Sequence, residues 1–261
     1  MLLIAAGATA VWLFMTSVFI IALREQDNSI VDIAWGPGFI VNAAVCLAVS
    51  GSLSMRQMMV SFLIALWGVR LALHIHTRNQ SREGEDFRYR AWRETWGKWF
   101  VIRSYGQIFL LQGVVMLVVS APVFVVNVHP EGTLGLLDVA GIALWVIGFA
   151  FEAVGDWQLL RFKRSKRGQG AIMTEGLWSI TRHPNYFGEV TLWWGFFLMA
   201  LGSRYGLYAI ISPLTITFLL LRVSGIPMLE KKVVGNPEFE AYKARTSAFF
   251  PWFPGKKQAD K

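Results

Sequence analysis

Long apolar runs separated by short charged stretches govern this sequence. Seven of them, at 2–23, 31–50, 58–77, 105–126, 134–160, 186–201 and 205–222, approach the ~20 residues that a helix needs to cross a bilayer. Being apolar around most of their circumference, they predict helices in lipid and not the period-two alternation of strands. Cations fall unevenly between the runs. Arg78, Arg82, Arg88, Arg90, Arg93, Lys98 and Arg103 lie between the third and fourth, and Arg161, Lys163, Arg164, Lys166, Arg167 and Arg182 between the fifth and sixth. The opposite loops hold only Arg56 and Arg204. The positive-inside bias therefore predicts an all-α polytopic membrane protein of about seven transmembrane helices, N-terminus outside and C-terminus cytosolic.

Composition agrees with that class and narrows the partners. Of 261 residues 54% are hydrophobic, and the formal net charge of +8 sits in the loops, where it suits anionic membrane lipids. No basic soluble module exists for nucleic acid, so none is expected as a partner. The first run lacks a basic leader and a small-residue cleavage site and is expected to stay as a helix. Cys46 is the single cysteine and excludes an internal disulfide. His74 and His76 point to different sides of a helix, and no metal site is expected. Gly36-Pro-Gly38 and Gly168-Gln-Gly170 each lack the third glycine of a dinucleotide fingerprint.

The candidate chemistry lies toward the cytosolic ends of the helices. Asp32 opens the second run; Arg70 and His74 share a stripe with Trp67 on the third; Glu152 and Asp156 share one on the fifth. The stretch Gly-Leu-Trp-Ser-Ile-Thr-Arg-His-Pro-Asn-Tyr-Phe-Gly-Glu at 176–189 brings Arg182, His183, Asn185, Tyr186 and Glu189 to the mouth of the sixth. Pro184 pushes His183 out of the helical region, so a helix starts there, with Asn185 near enough to cap it. Capping accounts for neither Glu189 nor His183, and a carboxylate inside a membrane segment requires a polar partner or cavity. These groups predict one polar cavity open to the cytosol. Guanidinium forks suit phosphates and carboxylates suit ribose hydroxyls, so a phosphorylated nucleotide is the expected tenant, with Arg161, Lys163, Arg164 and Arg222 as cations around Asp156, Asn185 and Glu189.

The 176–189 stretch resembles the signature of the steroid 5α-reductase family, most closely its bacterial branch. Gln-Asp-Asn-Ser-Ile-Val-Asp-Ile-Ala-Trp-Gly at 26–36, Gly-Glu-Asp-Phe-Arg-Tyr-Arg-Ala-Trp at 84–92 and Thr-Ser-Ala-Phe-Phe-Pro-Trp-Phe-Pro at 246–254 support it. The resemblance covers nearly the whole chain as one domain, 1–261, with substrate-side helices in 1–126 and a cofactor side in 134–254. It implies NADPH-dependent reduction of a carbon–carbon double bond conjugated to a carbonyl, in a lipidic small molecule. It also implies cofactor contacts at Asp156, Asn185 and Glu189, flanked by Glu152, Arg182, His183 and Tyr186. Where the family's steroid enzymes polarise the carbonyl with a Glu and a Tyr, this chain has Asp32 and Trp67. Trp offers only its indole N–H, and His74 on the same stripe is the alternative donor. Asp32 is also read as a helix cap or an ion-pair partner of Arg70. Trp12, Trp35, Phe39, Trp67 and Phe109 are expected to line an apolar substrate chamber. Because Arg-His-Pro-x-Tyr also occurs in isoprenylcysteine-type membrane methyltransferases, S-adenosylmethionine is the alternative cofactor. A non-enzymatic lipid-binding scaffold is the third reading.

Overall fold

The computed structural model describes residues 1–80, 84–130, 133–165 and 171–253, and its regular structure is entirely helical among them. Arg82, Glu83, Lys166, Arg167, Gly168, Gly170 and Pro254 lie outside the described residues. The helices are α1 (Leu2–Glu25), α2 (Ile30–Ser50), α3 (Met55–Asn79), α4 (Phe87–Val119), α5 (Ala121–Val128), α6 (Leu136–Arg164), α7 (Pro184–Leu201), α8 (Gly206–Lys231) and α9 (Pro237–Arg245). Among the described residues six of these, α1 to α4, α6 and α8, are long and apolar enough to cross a membrane. The protein is thus an all-helical integral membrane protein. α7 lies where the sixth run was expected and has 18 residues, but its first turns carry Asn185, Tyr186 and Glu189, which dilute its apolar character.

Local chemistry sets the boundaries. Ser54 and Gln57 form a reciprocal capping box at the start of α3, satisfying two N–H groups that the first turn leaves open. α1 ends on Gln26 in the left-handed conformation, φ 55°. α4 begins well before the expected 105, because Asp86 caps it by accepting from Arg88 N at 3.0 Å. A π-helical turn interrupts α4 at Ser104–Leu110. Pro122, whose ring is suited to a first turn, opens α5.

The chain divides into two compact units, Met1–Val139 with Phe197–Ser212 and Ala140–Phe196 with Pro213–Lys261. In the first, α2 crosses α3 at a pair of glycines. A Cβ on Gly36 would lie 2.0 Å from the Gly68 carbonyl oxygen, so this approach admits no side chain. Close backbone contact through small residues is how membrane helices gain packing energy without a hydrophobic driving force. Phe39 and Trp67, both fully buried, pack edge to face at 5.4 Å beside this crossing, and the buried Phe109 meets Phe19 at 5.1 Å. Three of the aromatics expected to line a chamber therefore pack as core. Trp12 is half-exposed and donates to the Tyr105 hydroxyl at 3.1 Å. Toward the other end of α3, Arg56 is buried, with Nε and Nη2 donating to Asp138 at 2.7 and 2.8 Å. The same guanidinium caps the Thr133 carbonyl at 3.1 Å.

In the second unit α6 and α7 interlock through Gly148, Gly188 and Gly195. A Cβ on Gly188 would meet Glu152 N at 2.3 Å, and one on Gly148 would meet Leu192 N at 2.4 Å. The carboxylate of α6 and the polar start of α7 are thereby brought face to face.

Candidate functional site

The second unit gathers most of the expected polar residues. Glu152 and Asp156 are buried, 2% and 6% exposed, on successive turns of α6. Asn185 Nδ2 donates to Asp156 Oδ1 at 3.1 Å, while Asn185 Oδ1 is buried with no hydrogen-bond partner among the described residues. Glu189 follows one turn later on α7, on the Asn185 face. Two carboxylates one turn apart repel unless donors lie between them, and Asn185 supplies one.

Before α7 the chain turns through Thr181, Arg182 and His183, all buried. The expectation that Arg182 simply flanks a bound nucleotide meets a different geometry. Its Nε and Nη2 donate to Glu230 at 2.9 and 3.3 Å, and its Nη1 donates to the Thr246 carbonyl at 2.5 Å. His183 Nε2 lies 3.1 Å from the same carboxylate, and the ring stacks on Tyr186 at 5.4 Å and 8°. Arg182 N also donates to Ser247 O at 2.8 Å, and Trp252 N to Ile180 O at 2.9 Å. The C-terminal segment therefore folds over the 180–183 turn. α9 seals this arrangement: Tyr242 is buried and donates to the Trp178 carbonyl. Burial pushes the Tyr242 phenol well above its ordinary range, so it is a neutral donor at physiological pH.

Of the expected cations, Arg161, Lys163 and Arg164 occupy the last turn of α6 and are exposed, as is Arg222 on α8. The three on α6 complement the negative end of its dipole. Arg161 lies over the Trp157 ring at 5.4 Å.

The first unit holds Asp32, Trp67 and His74. Asp32, half-buried on the first turn of α2, accepts from Arg88 Nη2 at 2.6 Å and from the Tyr89 hydroxyl at 2.7 Å; Arg78 Nη2 stands 3.9 Å away. It does not cap α2 in the ordinary sense, since the residue at the cap position is Ser29. Trp67 is fully buried against Phe39, and His74 is half-buried two turns along α3. Around Asp32 the acidic residues of the 84–92 stretch find their use. Glu85 accepts from Asn28 N at 2.9 Å and from Arg93 Nη2 at 2.9 Å, fastening α4 to the α1–α2 turn.

Three contributors escaped the sequence reading. Arg88 and Tyr89 fall in the stretch expected to connect the third and fourth runs, although Asp86 before a run of alternating charge and aromatics is a helix-start signal that places them on α4. Glu230 carries no such signal, because its partners lie 47 and 48 residues away.

The fold and these clusters define a polytopic α-helical membrane protein with buried carboxylates and a cationic rim. Residues 18–246 match the model of a family described as protein of unknown function DUF1295, and the chain belongs to that family, which falls within the steroid 5α-reductase-like superfamily. An uncharacterised protein of Schizosaccharomyces pombe is 25% identical over 231 residues, covering 77% of this chain. The matched region spans 65% of the length of that yeast protein. No solved structure matches the chain.

Proposed function

We propose that this protein is a membrane reductase that uses NADPH to saturate a carbon–carbon double bond conjugated to a carbonyl in an apolar, lipidic substrate. The observation that carries this reading is the buried pair Glu152 and Asp156 inside a membrane span, with Asp156 held by the amide of Asn185. Ionisable groups at such depth are costly and mark functional sites. The residues suit a phosphorylated nucleotide: Asn185 Oδ1 is a buried acceptor awaiting a donor, carboxylates accept from ribose hydroxyls, and the exposed Arg161, Lys163, Arg164 and Arg222 suit phosphates. Membership in a steroid 5α-reductase-like superfamily points the same way.

When bound, NADPH supplies a hydride. The chain must then stabilise negative charge on the substrate carbonyl oxygen, which requires a hydrogen-bond donor. Asp32 already accepts from Arg88 and Tyr89, so in this reading it is a filled acceptor and does not act as the donor. The single hydroxyl proton of Tyr89 is committed to that carboxylate, and the donor role passes to His74, half-buried on α3. Membranes containing the protein, incubated with NADPH and a panel of sterol-like, quinone-like and polyprenoid enones, test the reading by mass spectrometry. The expected product is heavier by two hydrogens. A product heavier by one methylene, formed with S-adenosylmethionine, would transfer the assignment to the methyltransferase.

A further inference from the structure

The C-terminal segment gives its backbone and its side chains to different neighbours. The backbone is taken up by the 180–183 turn: Ser247 O accepts from Arg182 N, Phe249 O accepts from Thr181 Oγ1 at 2.9 Å, and Trp252 N donates to Ile180 O. The rings that follow point elsewhere. Phe250, Trp252 and Phe253 are 69%, 75% and 87% exposed, whereas Phe249 is buried. Three large rings laid bare within so short a stretch make an apolar patch that a water-facing surface rarely carries.

The register of α6 and α7 gives the depth of this patch. The two helices run antiparallel, with Asn185 beside Asp156, Gly188 beside Glu152 and Leu192 beside Gly148. α6 is a membrane span, and its exposed Trp157, with Arg161 over the ring, marks the level of the lipid headgroups. Phe187 stands between the levels of Asp156 and Glu152 and meets the Phe151 ring at 5.0 Å. At about 1.5 Å per residue it lies no more than about 8 Å inside the level of Trp157. Phe250 packs edge to face on Phe187 at 6.3 Å, which brings it to the boundary between headgroups and acyl chains. Apolar faces of interfacial segments sink about 5–10 Å into that boundary. The backbone suits such a place, because Pro251 has no N–H and that of Trp252 is already satisfied by Ile180 O.

We infer that Phe250, Trp252 and Phe253 enter the headgroup–acyl boundary of the adjacent leaflet, so that the bilayer itself pins the C-terminal segment onto the 180–183 turn. The partner is a lipid surface, and neither the inference nor its test involves the cofactor.

The test uses the full-length protein in bilayer nanodiscs, which leave both membrane faces open to solvent. The difference in tryptophan emission between the protein and its Trp252→Phe variant isolates the Trp252 component, and the variant keeps a ring at the position. Phosphatidylcholine brominated near the headgroup end of its acyl chains is expected to quench most of that component, while aqueous iodide leaves it nearly unchanged. Quenching by iodide and not by the lipid would show a water-facing patch and overturn the inference. Quenching by neither would show a ring covered by protein and overturn it equally. A second arm reads the pinning. Phe250→Ser, Trp252→Ser and Phe253→Ser combined should make trypsin cleavage after Arg245 about tenfold faster, because losing the anchor raises the opened fraction of the segment. An unchanged rate would show that the turn holds the segment without the bilayer and would overturn the pinning. The quenching arm needs only Trp252→Phe, so it decides the insertion even where the triple variant fails to fold.

Discussion

His74 carries the most specific chemical expectation. A donor to a developing oxyanion is typically worth a factor of about 10²–10³ in rate. With a substrate from the enone panel in hand, His74→Ala should slow turnover by that factor and leave the NADPH dissociation constant unchanged. Unaltered turnover would move the donor elsewhere. The Glu230 carboxylate has a different office: it holds Arg182 and His183 together under the C-terminal segment. Removing one partner of a largely buried, hydrogen-bonded charge pair costs about 2–5 kcal/mol. Glu230→Gln should therefore lower the melting temperature of the purified protein, and an unchanged melting temperature would show that the cluster does not hold the segment down. Tyr242 provides a pH signature. Its folded-state phenol is raised by burial, so its contribution is fully present at neutral pH and declines as pH rises above about 10, the ordinary tyrosine value. Wild-type stability measured from neutral to alkaline pH should fall there more steeply than that of Tyr242→Phe; parallel curves would contradict this. At this scale the sequence exposed residue types but not their partners. That Asp156 and Asn185 belong to one polar cluster was legible from motif and helix spacing. The partnership of Arg182 with Glu230 was not, because nothing local couples positions 48 residues apart.

The helices themselves were legible because lipid enforces apolar runs of fixed length; six of the seven expected runs coincide with single observed helices, while 105–126 is divided between the end of α4 and α5. What periodicity alone missed was the charged first part of α4, where Arg88, Arg90 and Arg93 obscure a helical start capped by Asp86. Nor could it show that Gly36 and Gly68 are a contact point, since a glycine in a membrane run has many uses. Gly36→Ala places a methyl 2.0 Å from a backbone oxygen. Overpacking of this kind costs about 1–3 kcal/mol or more, and the variant should lose much of its yield of monodisperse protein in detergent. Recovery equal to wild type would mean that α2 and α3 can separate freely. Orientation follows from the cation count: reporter fusions after Asn127 and after Lys261 should localise to opposite sides of the membrane, and the same side for both would refute the assignment.

For the whole molecule, composition and run length were sufficient to define an all-helical membrane protein, and the motif at 176–189 pointed to its family. The aromatic residues expected to line a substrate chamber were less legible. Phe39, Trp67 and Phe109 are fully buried in the first unit, since large rings fill a core as readily as they line a cavity. The proposed function turns on the cofactor, because the roles given to Asp156, Asn185 and the cations of α6 all presuppose it. The most direct test is to measure the dissociation constants of NADPH, NADH and S-adenosylmethionine for the full-length protein in detergent. The account predicts saturable binding of NADPH, about tenfold or more tighter than NADH through cations on the 2′-phosphate, and no comparable binding of S-adenosylmethionine. Equal affinity for the two dinucleotides, or saturable binding of S-adenosylmethionine alone, would contradict it.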